Sequence, residues 1–232
     1  MGQGNIVILT GAGISAESGL GTFRDEDGLW ARHAIEDVAT PEGFARDPGL
    51  VHAFYNARRA QAAAATPNPA HAALARLETG YPGEVQIITQ NIDDLHERAG
   101  SRNVLHMHGT LAGALCHACD HRWTAPPEMT AEAPCPACSA AATRPDVVWF
   151  GEIPYGAEVI DAALATASTF VSIGTSGQVY PAAAYAQHCR RLGAQTVELN
   201  LEPSRGARDF DECAYGPASR VVPGWVDRVL QG

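Results

Sequence analysis

Four cysteines fall in two tight pairs, Cys116-His117-Ala118-Cys119 and Cys135-Pro136-Ala137-Cys138, with residues 120–134 between them. Two C-x2-C pairs at this distance match the spacing of a four-cysteine zinc ribbon. Four thiolates close the tetrahedron and leave no position for a reacting water, so the expected metal is structural. His117 and His121 are unnecessary as ligands. Cys189 and Cys213 stand alone and read as ordinary buried or half-buried thiols. A second group, Gly11-Ala12-Gly13-Ile14-Ser15-Ala16, satisfies G-x-G-x-x-[GA] directly after an apolar run. Glycines there permit a tight turn and close backbone approach to a pyrophosphate, whose charge sits at a helix N-terminus. Gln90-Asn91-Ile92-Asp93 follows another apolar run, although Asn-x-Asp after a strand is in itself also a turn or helix-cap signature. His106 and His108 alternate in Leu105-His106-Met107-His108-Gly109. Imidazole suits general-base work near neutral pH. The residues alone do not choose between the two, and in an extended segment they would point to opposite sides.

The elements that must carry these groups are strands and helices in alternation. Short β-branched runs recur at 5–10, 85–89, 169–173 and 196–199, each flanked by helical or Gly-rich sequence. Strands buried on both faces look like this, which predicts an α/β protein built on a parallel sheet. Helices are expected near 50–65, 70–79, 157–167 and 181–192. Two intervals differ in character. Residues 31–79 are Ala-rich and helical, broken at Thr66-Pro67-Asn68-Pro69, while 114–143 are rich in Cys, Pro and small residues. Both read as insertions forming a second, smaller domain with a helical and a four-cysteine module. The larger domain then comprises 1–30, 80–113 and 144–232.

After the glycine loop a dinucleotide-dependent dehydrogenase should show a helix, a second strand and an acidic residue about 20 positions on. Instead the chain continues Glu17-Ser18-Gly19-Leu20-Gly21-Thr22-Phe23-Arg24-Asp25-Glu26-Asp27-Gly28-Leu29-Trp30, Gly-rich and charged, more like a flap over a ligand. Hydride transfer is disfavoured on that point. Gly11-Ala12-Gly13-Ile14-Ser15, Ser18-Gly19 and Thr22-Phe23-Arg24 resemble the opening motif of sirtuins. Thr89-Gln90-Asn91-Ile92-Asp93-Asp94-Leu95-His96, His108-Gly109, Val147-Val148-Trp149-Phe150-Gly151-Glu152, Gly174-Thr175-Ser176 and Asn200-Leu201-Glu202 follow in that family's order. The likeness runs from about residue 6 to residue 226 and is greatest to bacterial sirtuins of the CobB type. It implies a Rossmann-like NAD-binding sheet with helices on both faces, plus the small helical and zinc-ribbon domain.

The resemblance also implies roles. Gly11, Ala12, Gly13, Ser15, Ala16, Thr22, Phe23, Arg24 and Trp30 would contact NAD. Gln90 would contact NAD as well, Asn91 would meet the ribose, and Ile92 and Asp93 the nicotinamide pocket. Gly174, Thr175, Ser176, Asn200, Leu201, Glu202 and Ala218 would hold the adenosine half. His108, next to Gly109, would be the general base, with Asn91 and Asp93 beside it. Phe150, Gly151 and Glu152 would pair with the substrate peptide backbone, a mode that tolerates many sequences. Tyr55 and Arg58, three apart on one helix face, resemble the pair with which one sirtuin class binds the carboxylate of succinyl- or malonyl-lysine. The implied reaction consumes NAD: an acyl-lysine oxygen attacks the nicotinamide ribose, nicotinamide leaves, and the products are free lysine and O-acyl-ADP-ribose. Mono-ADP-ribosyl transfer on the same scaffold would use the same loops but leave Tyr55 and Arg58 unexplained. A zinc-ribbon binding module without activity would leave His108, Asn91 and Asp93 unexplained.

The bulk properties bound the rest. The chain has 232 residues, 46% hydrophobic and 18% charged, enough for one substantial core. A net charge of −10 gives no reason to expect nucleic acid or an anionic membrane as partner. No apolar run reaches membrane-spanning length, and the N-terminus leads straight into a core-like strand, so a cytoplasmic monomer acting on acyl-lysine proteins is expected. All 16 basic residues are Arg, so the protein offers no lysine side chain of its own for acylation.

Overall fold

The computed structural model describes residues 4–21 and 33–231. Six parallel strands form the main sheet. In chain order they are β1 (Asn5–Thr10), β2 (Val85–Thr89), β3 (Val104–His106), β7 (Ala167–Ile173), β8 (Gln195–Asn200) and β9 (Glu212–Tyr215). Their spatial order is β3-β2-β1-β7-β8-β9. Strand side chains alternate between faces, and here both faces are covered. Ile6 and Ile8 enter one core, with Leu74 and Leu77 of α4 (Pro69–Gly80) and Trp225 and Val226 of α8 (Ala218–Gln231). Val7 and Leu9 enter the other, with Ile160 and Leu164 of α6 (Ala157–Thr166) and Tyr185 and Cys189 of α7 (Tyr185–Arg191). Each such aliphatic side chain contributes about 1.5–3 kcal/mol on burial, so continuous apolar runs stabilise these strands even without polar alternation.

A second body lies beside this sheet. Short helices α1 (Ile35–Val38) and α2 (Pro41–Arg46) lead to the long α3 (Pro48–Ala64). Thr40 and Asp47 cap α2 and α3 through their side-chain oxygens, and Pro41 and Pro48 occupy first-turn positions where no N–H is needed. α3 packs on an antiparallel sheet of order β5-β4-β6, made of β4 (Gly109–Cys116), β5 (Arg122–Thr124) and β6 (Thr143–Val147). Val51, Phe54, Tyr55, Leu111, Val147 and Trp149 form their shared core. The expected boundary at residue 79 needs correction, because α4 packs on the main sheet. The helical part of the insertion therefore ends before the Pro67–Pro69 break, and the small sheet reaches outward to 109 and 147.

The expected strands and helices are present within a residue or two at most boundaries, with Ala182–Ala184 a 3-10 turn ahead of α7. Other elements were not anticipated, among them β3, β9 and α8. The edge strands β3 and β9 have three and four residues, too few to show a period. α8 contains Pro223, which argues against a helix locally, but Val222, Trp225 and Val226 on one stripe are buried and outweigh it. Cys213 lies exposed on edge strand β9 and not half-buried as expected, whereas Cys189 is fully buried.

Candidate functional site

β1 and β7 are adjacent, and the chain leaves them toward opposite edges of the sheet, a topological switch point where open α/β sheets bind ligands. The loops beyond these strands lie backbone on backbone. Gly11 N–H donates to Ile173 O at 3.0 Å and Gly13 N–H to Gly174 O at 2.9 Å. A Cβ on Gly13 would stand 2.8 Å from Gly174, and Gly174 itself has φ +61, so neither position tolerates a side chain. This contact joins the Gly11–Ala16 and Gly174–Ser176 segments. Asn200 extends the same rim, its Nδ2 donating to Thr175 O at 2.8 Å and its carbonyl accepting from Gly216 N at 2.9 Å. Leu201 is exposed and Glu202 follows it at the rim. Ala218 opens α8, whose next residue donates from N and Oγ to the Glu17 carboxylate, each at 2.8 Å. Where a dinucleotide-dependent dehydrogenase would carry a helix after the glycine loop, Ala12–Ile14 and Ala16–Ser18 are two 3-10 turns. Thr22, Phe23, Arg24 and Trp30 lie outside the described residues.

Beneath the glycine loop sits a buried polar network. Ser15 Oγ donates to Asp93 Oδ2 at 3.2 Å and accepts from Asn91 Nδ2 at 3.1 Å. Asn68 N–H donates to His71 Nδ1 at 3.3 Å, so the His71 proton is on Nε2, facing Ser15 Oγ at 3.4 Å. Thr10 Oγ1 donates to Thr89 Oγ1 at 2.8 Å, so His96 Nε2, 3.0 Å from Thr10, must be the donor there. Thr89 Oγ1 also accepts from Asn91 N at 3.1 Å. Asn68, His71, His96, Thr10 and Thr89 were given no site role in the sequence. The Asn68-Pro69-x-His71 helix start is the local signal that could have marked two of them. Burial pushes the His71 pKa down to about 4 and that of His96 to about 3, with the neighbouring His71 adding to the latter shift. Burial raises the Asp93 carboxyl, against hydrogen bonds from Leu95 N and Ser15 that lower it.

His108 does not follow the alternation expected of an extended segment. β3 ends at His106, and the chain turns at 107–108 into Gly109, where φ is +76 and a Cβ would meet Asp146 O at 2.2 Å. Both histidines therefore reach the loop after β2. His108 Nδ1 donates to Gln90 O at 3.0 Å, which leaves the Nε2 lone pair outward, and burial lowers its pKa. Ile92 O accepts from Leu111 N at 2.8 Å, fixing the far end of the loop.

Tyr55 and Arg58 lie on the buried side of α3. Trp149 Nε1 donates to Tyr55 Oη at 3.0 Å, leaving the phenol proton available to another acceptor, and burial raises the Tyr55 pKa. Arg58 is brought close to Asp93 and Tyr55; burial lowers its pKa, and the Asp93 charge opposes that shift. Phe150 is 46% exposed, but 150–152 form a turn with Gly151 at φ +92. The Glu152 carboxylate is committed inward, accepting from Arg144 at 2.6 and 2.9 Å and from Trp149 N at 2.8 Å. Arg144 lies 3.4 Å over the Trp149 ring. Arg144 and Trp149 thus brace the Tyr55 side of the site, a role that needs the fold to see.

Cys116, Cys119, Cys135 and Cys138 converge, with all four sulfurs within 4.8 Å of one another. Sγ separations of 3.7 Å for Cys116–Cys138 and 3.8 Å for Cys119–Cys135 rule out disulfides. A tetrahedron with Zn–S of about 2.3 Å has an edge of about 3.8 Å, so the cage fits zinc. Each pair is followed by a residue with positive φ, Asp120 at +57 and Ser139 at +61, giving two like turns. His117 and His121 are not in the cage.

Residues 11–181 match the model of the Sir2 family. The chain belongs to the Sir2 family. A relative from Caulobacter vibrioides named "NAD-dependent protein deacylase" is 56% identical over 97% of this chain and 96% of its own. One of the same name from Escherichia coli strain K12 is 53% identical over 100% of this chain and 84% of its own. A solved Sir2 homolog–NAD complex superposes with a TM-score of 0.90 at 38% identity, covering 98% of this chain and 90% of that one. A Sir2 mutant solved with deacetylated p53 peptide and 3'-O-acetyl ADP-ribose gives 0.78 at 29% identity, covering 97% and 92%.

A zinc ion held by the four cysteines would tie the small sheet together. The purified protein should carry one zinc per chain by elemental analysis, and Cys116→Ser or chelation should lower the unfolding temperature and release the small sheet. A zinc-free protein of unchanged stability would refute the structural role. The buried imidazoles make a second prediction. In the folded state His71 and His96 stay neutral down to about pH 4 and 3, while unfolded they protonate below about 6.5. Their contribution is constant above pH 6.5 and is lost as pH falls through that window. With two protons taken up on unfolding, the slope approaches about 2.7 kcal/mol per pH unit between pH 6 and 4.5. His71→Asn should flatten that slope by about half in urea titrations at several pH values; an unaltered slope would contradict the assignment.

Proposed function

We propose that this chain is an NAD-dependent protein-lysine deacylase that removes acetyl groups and also acidic acyl groups such as succinyl and malonyl. The observation that carries the reading is His108, held with Nδ1–H on Gln90 O and its Nε2 lone pair outward, beside the Asn91–Asp93 loop at the switch point. The names of the relatives and the NAD complex of the structural neighbour support it. NAD, consumed in the reaction, supplies the ribose carbon to which the acyl oxygen is transferred. Gly11, Ala12, Gly13, Ser15 and Ala16 would hold it along one rim, and the family resemblance adds Thr22, Phe23, Arg24 and Trp30 as NAD contacts. Gly174, Thr175, Ser176, Asn200, Leu201, Glu202 and Ala218 would hold its adenosine half along the other. Gln90, Asn91, Ile92 and Asp93 would line the nicotinamide end.

His108 Nε2 takes the proton from a ribose hydroxyl, and Gln90 O holds the other ring proton so that the imidazole cannot present the wrong tautomer. Ser15 fixes Asn91 and Asp93 from below. Phe150, Gly151 and Glu152 shape the peptide-binding edge, Glu152 through its clamp on Arg144 and Trp149. A succinyl carboxylate buried without a partner would be rejected. Arg58 offers it a charge-assisted pair and Tyr55 Oη its remaining proton. The same reading keeps the division into an NAD-binding body and a smaller helical and zinc body, and takes acyl-lysine proteins or peptides as substrates.

His108→Ala should abolish O-acyl-ADP-ribose formation, read by mass spectrometry, with NAD affinity retained. In wild type the acidic limb of kcat/KM should lie below the ordinary imidazole value of 6.5, since burial lowers the His108 pKa and keeps the base form at lower pH. An acidic limb above that value would argue against this base. Arg58→Met should lower kcat/KM for succinyl-lysine peptide about a hundredfold or more, the loss of one partner of a buried ion pair. Turnover of the matched acetyl peptide should change far less. Equal losses on both would mean that Arg58 supports the fold and does not read the acyl group.

A further inference from the structure

His106 sits between two oxygens that can only accept. Its Nδ1 is 3.0 Å from Asn91 O and its Nε2 is 2.7 Å from Glu97 Oε1. A backbone carbonyl and an ionised carboxylate have no proton to give, so each ring nitrogen must carry one. A neutral imidazole has a single N–H and would set a lone pair against one of these oxygens. The 2.7 Å contact is also in the range of a charge-assisted bond. The titratable groups facing the ring are Glu97 and His96 of α5 (Leu95–Arg98) and Asp93 of the loop after β2. His106 N–H bonds hold the Glu97 carboxyl below the usual range, although burial alone would raise it. Glu97, Asn91 and Asp93 hold the imidazole above its usual range, although burial alone would lower it.

We propose that His106 works as an imidazolium strut that positions the Gln90–Asp93 loop, and that the reaction requires His106 protonated while His108 is neutral. The inference rests on reading that loop and His108 as the reacting site. Asn91 is tied at three points: its N–H to Thr89 Oγ1, its Nδ2 to Ser15 Oγ, and its carbonyl to His106. Of these only the last can be switched by pH. The peptide unit just before it carries the Gln90 carbonyl that orients His108. When His106 loses its proton, one of its two acceptors loses its donor. If that is Asn91 O, the Asn91–Ile92 peptide loses its tie, and the adjoining peptide that carries the Gln90 carbonyl is then held only through Asn91 N–H on Thr89 Oγ1, so His108 is oriented less firmly. Two histidines two residues apart thus act in opposite protonation states. The sign follows directly: His106 contributes below its raised pKa and its contribution is lost as pH rises through it. His108 contributes above its lowered one.

The test pairs the ring titration with the rate profile. The pKa of His106 is read by NMR of the imidazole 13C–1H signals, and kcat/KM on an acetyl-lysine peptide is measured across pH, in wild type and Glu97→Gln. Wild type should show His106 titrating above 6.5 and an alkaline limb at the same pH. Glu97→Gln should move both to lower pH by the same amount, leave the acidic limb in place, and leave kcat/KM unchanged where His106 is still protonated. His106→Gln, which cannot carry the charge, should remove the limb and lower kcat/KM about tenfold or more. An alkaline limb that stays while the NMR titration moves would overturn the proposal, as would a His106 already neutral at pH 6. A wild type without deacylase turnover would instead refute the reading of the site, with the NMR titration still deciding the state of His106.

Discussion

The contact on which the rest of the cleft depends is the backbone-to-backbone approach of Gly13 to Gly174. It fuses the loops that leave two neighbouring parallel strands in opposite directions, and it leaves no room for a β-carbon on either side. Because strands β1 and β7 are locked in the middle of a sheet buried on both faces, the geometry of that contact is set by the core and not by the loops. Ser15 and Asn200 are then placed by neighbours only a few bonds away, and Asn91 and Asp93 are tied to Ser15. A cleft assembled from such rigid supports can hold an extended, charged ligand at many points with little ordering left to do.

Helix α3 connects that cleft to the cysteine cage. Tyr55 and Arg58 face inward, while Asn56 and Arg59, one position on from each, grip the module that carries the cage. Asn56 exchanges hydrogen bonds with the backbone of Met129 at 2.9 and 3.0 Å, and Arg59 Nε donates to Leu111 O at 2.9 Å. A small sheet of three short strands has little apolar area to stabilise itself, so the four thiolates and this helix support each other.

Electrostatics in the interior follow one rule with two outcomes. Where burial meets no acceptor of charge, as at His71 and His96, the imidazole stays neutral and serves as a polar brace. Where a carboxylate and a carbonyl flank the ring, as at His106, the cation is held in spite of burial. His71 and His96 have ring centres only 5.0 Å apart, and two charges there would repel, so neutrality also suits their packing.

The residues themselves determined a good deal: the four strands of the sheet centre, the four-cysteine cluster and the glycine loop. These signals are local, since buried strands, C-x2-C turns and a glycine-rich bend each need only neighbouring residues to specify them. Other features were decided by tertiary structure alone. The side of the sheet to which α4 belongs, the helix α8 around Pro223, and the inward turn of Glu152 depend on burial against residues far away in sequence. The two histidines show the difference most clearly. Their alternation suggested opposite directions, yet the strand stops at His106 and Gly109 folds the chain back against Asp146. Both rings therefore reach one loop, and their partners, Glu97 and the Gln90 carbonyl, lie 9 and 18 positions away along the chain. A side chain's protonation state depends on which oxygens surround it, and that is settled only once those distant segments have packed together.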